Sequence, residues 1–422
     1  MTHLRIRGGR PLAGVVRVQG SKNVFLHLAS AALLSAHPVR LHNVPRITDT
    51  GVVADIIGAA GAQVSFDGAG MDVHAADVTS GVIPPDLGGM IRPTACFGAA
   101  LLARTGRAVF PMPGGDAFAV RRIDLHLEAM RAAGAEVRTA NGIVSARIRT
   151  GLCGFSFDCT TPGGFGPSLG ATVTALLLAA SARGESRVVS PSGEPEVHAT
   201  AELLRRMGVP IEAENGVLLV EGRDRLAPAA ARVPADRMAA GTLLLAGAIT
   251  NGRVEVEDPT LDSLPRGFVD TLADVGLKLT RGIGTIRTTP SDLHPVTVET
   301  GVHPGYPTDL QPQLVALLTQ TPGTSRVLER IYAQRATHVP GLVALGADVT
   351  ARGQELTITG RSRLRGTTVH GDDIRAATAL VLAALAARGT TRVYGVRHLR
   401  RGYEDLADTL GALGADITEE DH

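Results

Sequence analysis

Four stretches of the chain combine charged or amide side chains with glycine or proline where a helix is about to begin. In Gln19-Gly20-Ser21-Lys22-Asn23 an ammonium and an amide sit at a turn before an apolar segment. Lys22 and Lys278 are the only lysines among 42 basic residues. Lys278 falls in the alternating Leu277 to Thr280 and reads as a solvent-facing strand residue. Lys22 is either a solvated surface residue or an anion ligand at a helix N-terminus, where a compact ammonium has a specific use. The second stretch runs from Pro113 to His126. A Pro-Gly-Gly turn is followed by Asp116, Arg121, Arg122 and Asp124, just before a helix. It reads as a reactive loop, or as a plain loop with Asp124 as N-cap and His126 exposed. In the third, His303 to Gln311, Asp309 is expected to open a helix as its N-cap. A helix N-terminus also keeps a carboxylate ionised, which suits a proton acceptor. The fourth group is scattered over Arg92, Arg335, Asp373-Ile374-Arg375 and Arg400-Arg401-Gly402-Tyr403. Singly these are solvated arginines and a cap; together they could converge on a doubly charged anion.

The absences narrow the chemistry. The sequence has no GxxxxGK[ST] phosphate loop, no GxGxxG opening a helix, no HExxH and no serine nucleophile elbow. What remains is acid, base and anion-holding side chains, which can support chemistry without a metal or organic cofactor.

A repeat supplies the elements that must hold these residues. Six amphipathic segments end in a glycine and run into an alternating strand, at Gly61, Gly134, Gly208, Gly276, Gly346 and Gly414. Glycine takes the left-handed conformation at a helix end and turns the chain into a strand. In phase with these come six almost wholly apolar segments, such as Ala171 to Ala182 and Ala379 to Ala387, whose helices must be buried. Each unit of about 70 residues is too long for a solenoid repeat or a barrel βα unit. Six units divide into two domains of three, with a break at Ala227 to Pro234, and a ligand cleft between domains is expected.

Composition agrees with a compact globular protein. The 422 residues carry a net charge of +1, with 44% hydrophobic and 20% charged residues. That is too neutral for a nucleic-acid binder, and nine Phe, four Tyr and no Trp leave few stacking platforms. No apolar run is long enough for a membrane span, and the first ten residues lack the apolar core of a signal peptide. Cys96, Cys153 and Cys159 form no CxxC pair. The expectation is a cytoplasmic, soluble α/β protein.

In order along the chain, the landmarks are GSKN at 20–23, PGGD at 113–116, DLH at 124–126, SLGAT at 168–172, EPE at 194–196, YPTDLQ at 306–311, DIRA at 373–376 and RGYE at 401–404. With these, the whole chain resembles the enolpyruvyl transferases, and most closely the branch acting on UDP-N-acetylglucosamine in peptidoglycan precursor synthesis. The resemblance implies two domains, each of three pseudo-symmetric βαβαββ units around buried helices, an inside-out α/β barrel. The expected domains are residues 22–233 and residues 1–21 with 234–422, the active site lying in the cleft. It also implies transfer of the carboxyvinyl group of phosphoenolpyruvate to a hydroxyl by addition and elimination, without cofactor or metal. By that resemblance Lys22, Arg121 and Arg401 match phosphate-holding cations, and Arg335 and Arg375 lie near the pyruvyl carboxylate. Asn23 and Asp309 match contacts to the acceptor hydroxyl, with Asp309 as base. Ser168, Leu169 and Gly170 match a cradle for the acceptor's phosphates, and Asp124 and Leu125 the uracil strip. Asp116 stands where most of the branch has a cysteine, and would deliver the proton. The epoxide fosfomycin alkylates that cysteine in the family, so Asp116 implies resistance.

The acceptor end departs from the family pattern. Arg122 replaces the proline of the uracil strip, Gly193 an arginine, Ala333 a glutamate and Arg400 an acidic residue. An acceptor such as UMP, as in nucleoside-antibiotic synthesis, is therefore the alternative reading, and a catalytically silent nucleotide-binding paralog is a lesser one.

Overall fold

The computed structural model describes residues 2–115, 122–163 and 166–421. Asp116 and Arg121 lie outside the described residues. Within them, six largely apolar helices are buried: Lys22–Ala32, Thr94–Thr105, Leu169–Ala179, Arg237–Ile249, Gln311–Leu318 and Ile374–Ala386. Between them come the amphipathic helices Thr48–Ala59, Asp124–Ala132, Pro195–Arg206, Arg266–Asp274, Val339–Ala344 and Leu406–Ala412. Each of these ends at one of the six repeat glycines. All six glycines have φ between +87° and +96°, the left-handed region that a side chain rarely adopts.

The chain forms two compact units. One comprises residues 22–115 and 122–234. Its apolar core runs from Val24 to Val233 around the first three buried helices. The other joins residues 2–21 to 235–421. There the helices Arg237–Ile249, Gln311–Leu318 and Ile374–Ala386 pack on one another.

The sheets show the repeat most plainly. In Ser156–Asp158, Glu185–Val189, Val217–Glu221 and Ile211–Glu214, the first pair is parallel and the next two are antiparallel. The same order recurs in Thr297–Glu299, Gly323–Leu328, Glu355–Gly360 and Asp348–Arg352. In chain order both units read βαβαββ. Elsewhere a strand is borrowed from a distant segment. Ala229–Arg232 supplies the parallel strand beside Val39–His42, and Ala13–Arg17 supplies the one beside Arg253–Glu257. His3–Arg7 lies between Thr390–Tyr394 and Asp416–Glu420, antiparallel to both. Its inward Leu4 and Ile6 are buried in that unit's core, as the period-two pleat dictates.

Candidate active site

In the unit of residues 22–234, Lys22 is the first residue of its helix and is only 8% exposed. The surface reading of this lysine is thereby corrected. Its Nζ lies 2.8 Å from Asp49 Oδ2. Asp49 sits in the first turn of helix Thr48–Ala59 and is 2% exposed. A carboxylate at this distance offsets part of the desolvation cost of burying an ammonium. Asn23 follows, half-buried.

Arg92 is exposed in the turn before helix Thr94–Thr105. Burial, reinforced by the Arg92 charge, lowers His27 to about 4. Burial, with His27 and Arg92 adding to it, lowers His126 to about 3. Both imidazoles are therefore neutral at neutral pH. The His126 ring is not the exposed group that the plain-loop reading gives. Its Nδ1 lies 2.7 Å from Thr174 Oγ1. The ring lies against Gly170, where an added Cβ would come within 2.6 Å of Cε1 and Nε2. Ser168 caps the helix by accepting from Ala171 N at 3.3 Å, so Ser168, Leu169 and Gly170 present a helix N-terminus. One side chain thus fastens that N-terminus to the strip of Asp124 and Leu125. Asp124 is not an N-cap: Ile123 holds that place, and the Asp124 carboxylate accepts from Arg122 Nε at 2.9 Å.

In the other unit, Asp309 also differs from its expected role. It lies inside a 3-10 turn, Thr308–Leu310, and the helix begins at Gln311 with Leu310 at the cap. Its carboxylate instead accepts from Arg335 Nη1 at 2.7 Å through Oδ1, and from Arg375 Nη2 at 3.0 Å through Oδ2. Both arginine side chains are at least nine-tenths buried. Two guanidinium groups on one carboxylate leave a net positive charge, which favours a further anion. Asp373 is an N-cap as expected, accepting from Arg375 N at 2.8 Å and Ala376 N at 2.9 Å. Its other oxygen accepts from Thr337 Oγ1 at 2.5 Å. Arg375 is thus positioned at both ends. Burial lowers the His338 imidazole to about 3, with the Asp373 charge opposing and the Arg335 charge adding a smaller push downward.

Arg401 is half-buried in its own turn. Gln19 staples that turn, donating to Gly402 O at 3.0 Å and accepting from Glu404 N at 2.9 Å. Tyr403 Oη reaches Thr242 Oγ1 at 2.9 Å inside the core. Among the described residues no group of three or more His, Cys, Asp or Glu is placed to hold a metal ion. No helix of the described residues is long and apolar enough to cross a membrane. A cavity of about 630 Å³ lined by Arg104, Arg183, Arg223 and Arg225 contains none of the candidate residues.

Sequence reasoning missed Asp49, Gln19 and the packing of His126. Asp49 carries no local signal. Gln19 and His126 fall within motifs, but their partners lie far along the chain.

The family profile of EPSP synthase (3-phosphoshikimate 1-carboxyvinyltransferase) matches residues 6–410. A UDP-N-acetylglucosamine 1-carboxyvinyltransferase of Chloroherpeton thalassium is 37% identical over 421 residues, covering 99% of this chain and 97% of its own length. That of Chlorobium limicola is 39% identical over 424 residues, covering 100% and 99%. Among solved structures, the enolpyruvyl transferase NikO from Streptomyces tendae superposes with a TM-score of 0.89 at 28% identity, covering 99% of this chain and 98% of that one. EPSP synthase from Acinetobacter baumannii shares the fold, with a TM-score of 0.78 at 18% identity over the full length of both.

Proposed function

The chain belongs to the enolpyruvyl transferase family, and from that premise we propose that it transfers the carboxyvinyl group of phosphoenolpyruvate to a hydroxyl of UDP-N-acetylglucosamine, releasing phosphate. Full-length relatives of that name at 37% and 39% identity support this acceptor. The observation that carries the chemistry is the Arg335–Asp309–Arg375 cluster, a carboxylate held between two buried guanidinium groups.

In the addition step the acceptor oxygen bonds to C2 of phosphoenolpyruvate, a proton is added to C3, and the acceptor hydroxyl loses its proton. Asp309 takes that proton, with Asn23 orienting the hydroxyl. Asp116 delivers the proton to carbon. Elimination then breaks the C2–O bond to phosphate and returns a proton from the methyl group. Lys22, Arg121 and Arg401 hold the phosphate, and Arg335 and Arg375 the pyruvyl carboxylate, with Arg92 and Asp373 supporting the charge balance. Ser168, Leu169 and Gly170 receive the acceptor's phosphates at a helix N-terminus, and Asp124 with Leu125 the uracil. The same arginines serve Asp309 and the substrate carboxylate. An arriving carboxylate therefore competes for their donors and makes Asp309 a stronger base when the substrate is in place. A cytoplasmic location goes with this role in peptidoglycan precursor supply.

Phosphate release from phosphoenolpyruvate should be fastest with UDP-N-acetylglucosamine when compared with UMP and UDP. Preference for UMP would favour the second reading, a role in nucleoside-antibiotic synthesis. That reading draws on Arg122, Gly193, Ala333 and Arg400 at the acceptor end and on the likeness to NikO. No release with any of the three would sink the transferase reading in favour of a silent nucleotide-binding paralog.

A further inference from the structure

Glu329 is 2% exposed, and both of its oxygens accept hydrogen bonds. Oε1 accepts from Thr300 Oγ1 at 2.8 Å, Ile331 N at 2.9 Å and Tyr332 N at 2.9 Å. Oε2 accepts from Thr308 Oγ1 at 2.9 Å. Thr308 and Asp309 are neighbours in one 3-10 turn. Ile331 and Tyr332 lead directly to Arg335, whose guanidinium lies 5.1 Å from the Tyr332 ring centroid. Thr300 closes the frame, accepting from Arg330 N at 2.9 Å. A buried carboxylate held by four neutral donors is costly to build and rigid once built. Here it bridges the segment carrying Asp309 and the segment carrying Arg335.

We propose that Glu329 is a positioning residue that splints the Asp309 turn to the Arg335 segment through Thr308, and so holds the proton acceptor 2.7 Å from its guanidinium partner. The proposal rests on the assignment of Asp309 as base. Glu329 itself touches no reacting atom. Among the described residues, Thr308 Oγ1 is the donor through which Glu329 reaches the Asp309 turn, so cutting that bond should loosen the Asp309–Arg335 pair without emptying the frame.

Thr308→Val makes that cut at nearly constant volume, whereas replacing Glu329 would strand four donors and threaten the fold. The variant is expected to lose about tenfold or more in kcat, with KM for phosphoenolpyruvate little changed. With the cation further off, the Asp309 carboxyl becomes easier to protonate, so the acid limb of kcat/KM should move to higher pH. Thr308→Ser restores the hydroxyl and should restore both readouts. A role in folding alone would lower the melting temperature but leave the acid limb of the folded fraction in place. A crystal structure of Thr308→Val reads the Asp309 to Arg335 distance with no substrate present, so it tests the splint even if wild-type phosphate release fails. A longer or dispersed contact supports the proposal. An unchanged 2.7 Å contact, or in an active enzyme an unmoved acid limb with kcat within twofold of wild type, overturns it.

Discussion

At Lys22 function and stability are tied together. Removing its ammonium deprives Asp49 of a partner 2.8 Å away, and losing one side of a buried pair costs about 3–5 kcal/mol. Lys22→Ala should therefore lose stability as well as turnover. The double variant Lys22→Met/Asp49→Asn should regain most of the stability and none of the turnover. Thermal melts run beside a phosphate-release assay separate the two, and recovered turnover would remove Lys22 from the phosphate site. The thiols carry a second prediction. Burial pushes Cys96 up to about 12 and Cys159 up to about 11, so neither supplies a thiolate to an epoxide. Cys153 is exposed. Fosfomycin should leave the activity intact, with any adduct mapping to Cys153, whereas Asp116→Cys should be inactivated with time. Time-dependent inactivation of the unmutated chain would show that Asp116 does not stand in place of the loop cysteine. The types of the site residues were legible in the sequence, but their partners were less so. Asp309 has the look of an N-cap because acids before helices usually are. Its true partners lie 26 and 66 residues away, and no local pattern points to them. Glu329 gave no signal at all, since a lone glutamate at a strand end is ordinarily solvated.

At the scale of the element, the helix opening at Leu169 depends on a residue with no side chain. A Cβ at Gly170 would stand 2.6 Å from the His126 ring. Gly170→Ala must therefore shift either the ring or the first helical turn, and with it the N–H groups offered to the acceptor's phosphates. KM for the nucleotide acceptor should rise about tenfold, roughly 1.4 kcal/mol, while KM for phosphoenolpyruvate changes less. Steady-state kinetics with each substrate varied in turn will show this, and an unchanged acceptor KM would separate the cradle from this helix. The repeat itself could be read from the sequence because its signal is local. A helix stop needs φ above zero, only glycine supplies that cheaply, and the glycines recur at a steady spacing. The borrowed strands could not be read in the same way. His3–Arg7 has a strand's alternation, but nothing within it specifies that its neighbours are residues 390–394 and 416–420.

For the whole molecule, buried neutral histidines set an acid limit. His27 is lowered to about 4, and His126 and His338 to about 3. Each folded value lies below the unfolded 6.5, so between the two the unfolded chain binds more protons. Stability is then fully present above about pH 6.5 and falls with pH until the folded values are reached, by up to about 1.4 kcal/mol per pH unit for each histidine. Urea midpoints between about pH 7 and pH 4.5 should fall accordingly. His126→Gln should flatten the slope, and a slope unaltered by that change would show that His126 does not contribute to the acid transition. The N-terminal strand has a consequence for the order of synthesis. His3–Arg7 leaves the ribosome long before one of its partners, Asp416–Glu420, has been made. At about 5–20 residues per second the wait is roughly 20–80 s. Residues 22–234 can meanwhile complete their own core, while Leu4 and Ile6 remain without theirs. For that interval the nascent chain carries a strand whose Leu4–Ile6 face is uncovered and whose edges are both open, the form of segment that chaperones bind and that pairs with the wrong neighbour when they do not.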